Sequence, residues 1–136
     1  MIVVSDKSRA AVGALAELAC RSGGPVPIQD IAETRGLALH VLEHLFVPLR
    51  RAGILQSQRG VKGGYSFRRP PASVTLRDVV EVVDGPLGQD LSATPSAVDE
   101  VWRDVAAALA ERLSELTIAD MVEREAQAQN APMFHI

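Results

Sequence analysis

The sequence predicts a mainly α-helical fold with one small β-hairpin, and three observations support this prediction. Apolar residues recur at helical spacing in six segments, which glycine, proline or polar residues separate. A glycine-rich stretch over residues 59–64 lies between two runs with strand character. The chain has 136 residues, of which 47% are apolar, and this is enough for a single core. We therefore expect one compact domain, with or without an oligomerisation arm.

The first two helices are marked by a cap residue and by helix-ending residues. Ser5 can cap a helix that runs to about Arg21. The predicted apolar stripe of this helix comprises Val12, Leu15, Ala16 and Ala19. A short second helix follows Pro27 and stops at Gly36, which suits a left-handed cap.

The third helix starts within two residues of Gly36 and is amphipathic. Its predicted apolar face comprises Leu39, Leu42, Leu45, Phe46 and Leu49. Its opposite face comprises His40, Glu43, His44 and Val47. Pro48 lacks a backbone N–H, so we expect it to kink or shorten this helix. Two helices joined by a tight glycine turn, the second with a polar outer face, describe a helix-turn-helix.

The next segment predicts a β-hairpin. Residues 54–58 and 65–69 have strand character, and the glycines between them permit a turn. Arg59 and Lys62 then lie at the hairpin tip. A cationic tip can be a solvated loop, but directly after a helix-turn-helix it is better interpreted as a wing that contacts a phosphate backbone. The predicted fold class is therefore a winged helix-turn-helix.

Two capped helices and a loop are expected after the hairpin. Thr75 can cap a helix that runs to about Asp84. The apolar side of that helix comprises Leu76, Val79, Val80 and Val83. Residues 85–96 have the composition of a loop. Further on, Thr117 and Asp120 resemble a capping box, which would start a last helix that ends near residue 125.

A long helix over residues 97–116 has the length of a dimerisation element. Twenty residues span roughly 30 Å, so we expect its apolar stripe to be buried against a second subunit, with packing inside the chain as the alternative. The stripe comprises Val98, Trp102, Val105, Leu109, Leu113 and Leu116. The predicted organisation is a winged helix-turn-helix domain over residues 1–84, a loop over 85–96, dimerisation helices over 97–125 and a loose tail over 126–136.

Composition and charge indicate the location and the partners. No apolar run approaches the roughly 20 residues of a membrane span, and no signal-peptide pattern opens the chain. The single Cys20 can form no internal disulfide. These observations predict a soluble, cytoplasmic protein. Residues 1–73 hold 10 Lys and Arg against 5 Asp and Glu, whereas residues 74–136 hold 4 against 12, so the first part is the one expected to meet an anion.

Residues 40–44, HVLEH, match the inverted zinc-protease motif H-x-x-E-H, in which two histidines hold a metal. Catalytic zinc also needs a third protein ligand and a substrate cleft. The remaining histidine, His135, lies in the expected loose tail. We therefore predict no metal and no enzyme activity. A solvated helix face or a DNA-reading surface explains the two histidines better.

A DNA-reading role suits the chemistry of these side chains, because the major groove admits an α-helix whose first turns meet base edges. Glu43 can accept a hydrogen bond from cytosine, either histidine can bond to guanine or phosphate, and a valine can touch a thymine methyl group. The wing cations would add charge against phosphates or enter the minor groove. The candidate DNA contacts are His40, Val41, Glu43, His44, Arg59 and Lys62.

Over about residues 3–125 the chain resembles the winged-helix iron-sulfur cluster regulators of the IscR and NsrR type. The most diagnostic segment is the wing signature R-G-x-x-G-G-Y over residues 59–65, which accompanies VTLRDVVEVVDGP from residue 74 and LTIADM from residue 116. The resemblance implies a homodimer held through the long helix. It also implies DNA contacts at Glu43 and Arg59, and two operator half-sites roughly 34 Å apart.

The chain departs from that family where signals are sensed. Many members carry three cysteines between the fourth and the long helix, which hold an iron-sulfur cluster, whereas residues 85–104 contain none here. Because such clusters need several thiolates, we expect no cluster and no other cofactor. Cys20 is interpreted as a core residue, with a redox switch as the alternative. Ala38, His40 and Val41 also replace the residues usual in the family, so the operator cannot be borrowed from another member.

Together these features predict a sequence-specific DNA-binding transcription regulator that represses as a homodimer on a palindromic operator in double-stranded DNA. A small-molecule or protein effector is expected at residues 85–96. The alternative is a winged-helix interaction or sensory subunit that depends on a partner and has lost specific DNA binding.

Overall fold

The computed structural model describes residues 4–21, 23–89 and 96–130. Within these ranges the chain forms six α-helices and one antiparallel hairpin, and none of the helices is both long and apolar enough to cross a membrane. The elements are α1 Asp6–Cys20, α2 Ile28–Arg35, α3 Leu39–Arg51, β1 Leu55–Gln58, β2 Gly64–Phe67, a 3-10 turn Pro71–Ser73, α4 Leu76–Asp84, α5 Ala97–Ser114 and α6 Ile118–Asn130. This order confirms the predicted mainly α-helical winged fold.

Helix α1 lies at the centre of the core. It packs against α2, α3, α4 and α6, and Leu15 is fully buried as predicted. Ala11 and Ala14 lie outside the predicted stripe and are also fully buried, whereas Val12 and Ala19 within it are half-buried. The predicted stripe is therefore only partly right, because a helix with neighbours on several sides buries more than one face.

The turn between α2 and α3 is closed by glycine, as predicted. Gly36 adopts a left-handed φ of 65°, and its N–H donates to the carbonyl oxygens of Ala32 and Glu33. Helix α3 then begins after Ala38, whose side chain forms no cap. Because the turn is short, the two helices form the expected helix-turn-helix.

Helix α3 continues through Pro48 to Arg51, so the expectation of a shortened helix is wrong. Proline has no N–H and cannot donate to the carbonyl oxygen of His44. Phe46 and Leu49, on either side of the proline, are fully buried. Their burial holds the last turn in the core and offsets the missing hydrogen bond.

Two capping boxes mark the starts of α4 and α6. The Thr75 hydroxyl accepts from the Asp78 N–H at 3.0 Å, and the Asp78 carboxylate accepts from the Thr75 N–H at 3.0 Å. Thr117 and Asp120 form the same reciprocal pair, as predicted. The Ile118 N–H donates to the carbonyl oxygen just before Thr75 at 2.9 Å, which joins the two helix starts.

Helix α6 is longer than predicted. It ends at Asn130, so residues 126–130, expected as part of a loose tail, are helical. Alanine and glutamine fill this stretch and are good helix formers, which is why the helix does not stop near residue 125. The rest of the predicted tail, residues 131–136, and residues 90–95 of the predicted loop lie outside the described residues.

Helix α5 buries one side and exposes another. It packs against α4, and its buried residues are Ala106, Ala110 and Leu113. Leu113 is therefore packed inside the chain, which is the alternative expected for this stripe. Leu109 and Leu116 are half-buried. The residues of the predicted stripe that remain exposed are Val98, Trp102 and Val105.

Asp84, the last residue of α4, fastens the start of α1. Its carboxylate accepts from the Ser5 N–H at 3.0 Å, from the Ser5 hydroxyl at 2.5 Å and from the buried Ser8 hydroxyl at 2.8 Å. Partial burial by itself raises the pKa of Asp84, but these hydrogen bonds outweigh burial and the pKa lies below its ordinary value. The contact is therefore strongest while the carboxyl group is ionised.

Replacing Asp84 with Asn should lower the free energy of unfolding near neutral pH by about 1 to 3 kcal/mol, because a charged acceptor of three hydrogen bonds is lost. Since the folded pKa is lowered, the advantage of the wild type is present above the unfolded pKa of about 3.9 and is lost as pH falls through the folded pKa. Urea unfolding at about pH 7 and about pH 3 measures the difference. Asp104→Asn, on an exposed part of α5, is the matched control. A difference that does not change with pH would contradict the role of the ionised carboxyl group.

Candidate nucleic-acid interface

The outer face of α3 presents polar side chains to solvent. His40, Glu43 and His44 are exposed, while Leu42 and Leu45 on the inner face are buried, as predicted for these positions. Among the described residues, none of the three polar side chains has a hydrogen-bond or ion-pair partner. These groups are therefore available to bind another molecule.

Two apolar residues in the first turn of α3 differ from their predicted roles. Val41, predicted to touch a thymine methyl group, is half-buried and packs against the core, so only part of its side chain is accessible. Leu39, predicted on the buried face, is 37% exposed. It is the first residue of α3 and lies at the edge of the core, where fewer neighbours cover it.

A backbone bridge fastens the wing to the segment before α2. The Val26 N–H donates to the Tyr65 carbonyl oxygen at 2.9 Å, and the Tyr65 N–H donates to the Val26 carbonyl oxygen at 2.8 Å. Within the hairpin, β1 and β2 pair antiparallel with Leu55 opposite Phe67. The hairpin is thus held from outside as well as by its own ladder.

Tyr65 also connects the wing to α3. Its ring meets the buried ring of Phe46 edge to face, with 5.0 Å between the centroids and 73° between the planes. On the strand opposite, the Arg50 guanidinium of α3 donates to the hydroxyl of Ser57, the residue of β1 that pairs with Tyr65, at 3.1 Å. Helix α3 and the wing are therefore held in one arrangement.

Close backbone contacts explain the paired glycines of the wing signature. A Cβ atom on Gly63 would lie 2.2 Å from the Gln58 carbonyl oxygen. A Cβ atom on Gly64 would lie 2.3 Å from the Val26 carbonyl oxygen, and Gly64 has φ +147°. Gly60 has φ +110° but open space around it, so only its backbone conformation favours glycine there.

The hairpin tip is exposed and carries both charge and an apolar side chain. Arg59 and Lys62 are exposed, as the sequence predicts. Val61 between them is fully exposed. Val61 is absent from the predicted contacts because a lone valine in a loop carries no sequence signal. Apolar side chains at such positions can enter the minor groove and contact base steps.

The two histidines of HVLEH do not belong to a cluster of metal ligands in the described parts of the chain. No group of three or more His, Cys, Asp or Glu side chains within residues 4–21, 23–89 and 96–130 could hold a metal ion. His135 lies outside these ranges. His40 and His44 instead lie one turn apart on the exposed face of α3, next to Glu43.

Cys20 is exposed at the end of α1, so its interpretation as a core residue is wrong. The last turn of α1 lies at the edge of the core, which the helical pattern alone did not show. Partial burial raises the pKa of the thiol, and the nearby Glu17 carboxylate raises it further. A raised pKa leaves less of the reactive thiolate, so this environment does not favour a redox switch.

Known proteins share the sequence and the fold of this chain. Residues 4–124 match a family model described as Rrf2, iron-dependent transcriptional regulator. The chain is 35% identical over 136 residues to the HTH-type transcriptional regulator CymR of Bacillus subtilis (strain 168), covering 98% of this chain and 99% of that protein. It is 33% identical over 135 residues to the HTH-type transcriptional regulator IscR of Escherichia coli O1:K1 / APEC, covering 90% and 81%. The solved structure of T. potens IscR matches with a TM-score of 0.82 at 37% identity, covering 96% of this chain and 93% of that chain.

Gly64→Ala should destabilise the protein by at least about 1 kcal/mol more than Gly60→Ala. Both substitutions place alanine at a positive φ, but only the Cβ atom at position 64 would collide with the Val26 carbonyl group. Urea unfolding followed by circular dichroism measures both changes. Equal effects would show that close approach to Val26 does not hold the wing in place.

Proposed function

The chain belongs to the Rrf2 family and is a DNA-binding transcription regulator, and on this basis we propose that it represses promoters as a homodimer on a palindromic operator. The observation that carries the proposal is that the outer face of α3 and the wing are held together. The unpaired side chains of His40, Glu43 and His44 lie on a helix that is locked to a cationic wing. A rigid pair of this kind can meet a base edge and a phosphate at the same time.

We propose that the outer face of α3 reads bases in the major groove. The exposed Glu43 carboxylate can accept from cytosine N4, and His40 or His44 can bond to guanine or to a phosphate. Val41 supplies a smaller, partly covered apolar contact for a thymine methyl group. Specificity therefore resides mainly in the three polar residues.

We propose that the wing supplies affinity. Arg59 and Lys62 at the exposed tip would neutralise phosphates or enter the minor groove, beside the apolar Val61. Residues 1–73 hold the excess of Lys and Arg, so the field of this part of the chain attracts DNA. The acidic second part would be kept away from the phosphates.

We propose that the exposed apolar part of α5 meets a second copy of the chain. Val98, Val101, Trp102 and Val105 are between 44% and 66% exposed and lie on successive turns of α5. A contiguous apolar patch centred on tryptophan is typical of an interface. In a two-fold dimer each subunit contributes the same patch to the interface. The α3 helices of the two subunits would then reach half-sites roughly 34 Å apart.

The residues of this chain do not fit an iron-sulfur cluster, although the family description names iron. Such clusters are held by several thiolates. Cys20 is the only cysteine, it lies on α1, and its pKa is raised. Residues 85–104 contain no cysteine at all. We infer that this member responds to its signal without a cluster.

Selection of genomic fragments by the purified protein, at a stated salt concentration, tests the DNA-reading role. The wild type should enrich a palindromic sequence. Glu43→Ala should still bind but should tolerate other bases at one position of each half-site, because one base contact provides about 1 to 3 kcal/mol of discrimination. A wild type that dimerises yet enriches nothing would contradict the proposal and favour an interaction subunit.

Arg59→Ala should weaken binding to all sequences to a similar extent. It should also reduce the slope of log affinity against log salt concentration by about one unit, because one phosphate contact is lost. Fluorescence anisotropy over a range of salt concentrations measures the slope. Arg112→Ala, on α5, is the matched control and should leave the slope unchanged. A changed sequence preference in Arg59→Ala would show that the wing reads bases.

Trp102→Glu should convert the dimer into monomers at low micromolar concentration. Loss of a central tryptophan costs about 2 to 4 kcal/mol of association energy, and a buried charge adds to that cost. Sedimentation equilibrium measures the change. Ala107→Glu is the control, since Ala107 is exposed on α5 outside the apolar patch. Unchanged dimerisation of Trp102→Glu would place the interface elsewhere.

Protein purified without oxygen should contain no stoichiometric iron or acid-labile sulfide, because the donor set is a single thiol. Metal and sulfide analysis of the full chain, together with its visible absorption spectrum, checks this. Stoichiometric iron and sulfide would overturn the cluster-free proposal while leaving the DNA-reading proposal intact.

A further inference from the structure

A cavity of about 370 Å³ lies beside the reading face, between α1, α3 and α4. Lys7 from the first turn of α1 lines it together with His40 and His44 of α3. Its volume is in the range of sites that bind small organic molecules. The cavity therefore brings a lysine from the start of the chain next to two of the residues proposed to contact DNA.

The cavity combines a basic rim with an apolar interior. Lys7, His40 and His44 are exposed at the rim. The apolar lining residues, Val41, Leu45, Val82 and Val83, are half-buried or buried and therefore lie deeper. This combination suits a ligand that has one charged end and one apolar end.

The basic rim has no strong counter-ion of its own in the described parts of the chain. Neither imidazole has a hydrogen-bond or ion-pair partner there, and Lys7 forms no ion pair. The charge of Lys7 lowers the pKa of Asp84, but this carboxylate already accepts three hydrogen bonds from Ser5 and Ser8. A ligand with a negative charge would therefore meet unopposed donors at this rim.

We propose that this cavity binds a small organic carboxylate with a short apolar body. The carboxylate contacts Lys7 and the two imidazoles, and the apolar body covers the valines. A DNA phosphate would satisfy the rim but would leave the apolar interior uncovered. An organic acid satisfies both parts, which is why it is the better occupant.

The ligand and DNA compete for the same side chains, a consequence that rests on the proposed function. His40 and His44 cannot hold a ligand carboxylate and contact a base or phosphate at the same time. Binding of the acid to the free protein therefore lowers its affinity for DNA, and DNA lowers its affinity for the acid by the same factor. The acid would act on the DNA-binding surface of each subunit, in addition to any effector at residues 85–96.

The test uses the full chain with 13C-labelled histidine, titrated without DNA at fixed pH and ionic strength. The probes are 3-methylbutanoate and benzoate. Two matched compounds serve as controls: 3-methylbutanamide lacks the charge, and inorganic phosphate lacks the apolar body. The chain has three histidines, so His135 serves as an internal reference. Either acid should move the signals of His40 and His44 saturably, at least about tenfold more tightly than the two matched compounds.

Lys7→Gln should weaken binding of the acid at least about threefold. Arg9→Gln, in the same helix but outside the cavity, should not change it. Absence of a saturable shift with both acids would overturn the proposal. An affinity for phosphate equal to that for the acids would also overturn the proposal, since the rim would then be a binding site for DNA phosphates.

Competition is measured separately, by DNA binding with sodium 3-methylbutanoate in place of sodium chloride at constant ionic strength. The acid should weaken DNA binding by the wild type and affect Lys7→Gln less. If the acid binds but does not weaken DNA binding, the inference that acid and DNA compete for the same side chains is wrong. Failure of the protein to enrich an operator would overturn the proposed function, but the histidine titration contains no DNA and would stand.

Discussion

Helix α1 lies at the centre of the fold, and four other helices take their positions from contact with it. Ala11 and Ala14 are fully buried, and their small side chains allow the neighbouring backbones to approach closely. Full burial of a larger residue such as Leu15 stabilises the packing by about 1.5 to 3 kcal/mol. The Asp84 carboxylate adds a polar tie between the first turn of α1 and the end of α4. Because α3 rests on this support with one face, its other face stays free for a partner.

The wing depends on the same support through α3. The ring of Tyr65 packs against Phe46, and the backbone of Tyr65 is bridged to Val26. The bridge needs a glycine at position 64, where any side chain would meet the Val26 carbonyl group. The wing signature therefore describes an attachment and not only a flexible loop. A helix and a hairpin that are locked in this way can contact DNA as one rigid unit, which reduces the entropy lost on binding.

The motif HVLEH illustrates how one short pattern can serve different chemistry in different surroundings. On a scaffold with a third ligand and a cleft, two histidines one turn apart hold zinc. Here they flank Glu43 on an exposed face and border a cavity with an apolar interior. A family whose description names iron thus has a member whose single thiol suits no cluster, and the cavity beside the two histidines is the site that we propose for a different ligand.

The sequence by itself determines the features that depend on neighbours a few residues apart. The caps at Ser5, Thr75 and Thr117, the left-handed turn at Gly36 and the two faces of α3 follow from local hydrogen bonding and helical spacing. The glycines between two strand-like runs also predict the hairpin, and the family resemblance adds the expected homodimer. Only the tertiary structure decides which part of the α5 stripe is covered, since Leu113 is buried and Trp102 stays half exposed.

The same holds for contacts between distant parts of the chain. The exposure of Cys20, the tie from Asp84 to Ser5 and the position of Lys7 beside His40 all depend on how the helices pack around α1. No local pattern encodes them, because residues far apart in the sequence become neighbours only when the core forms.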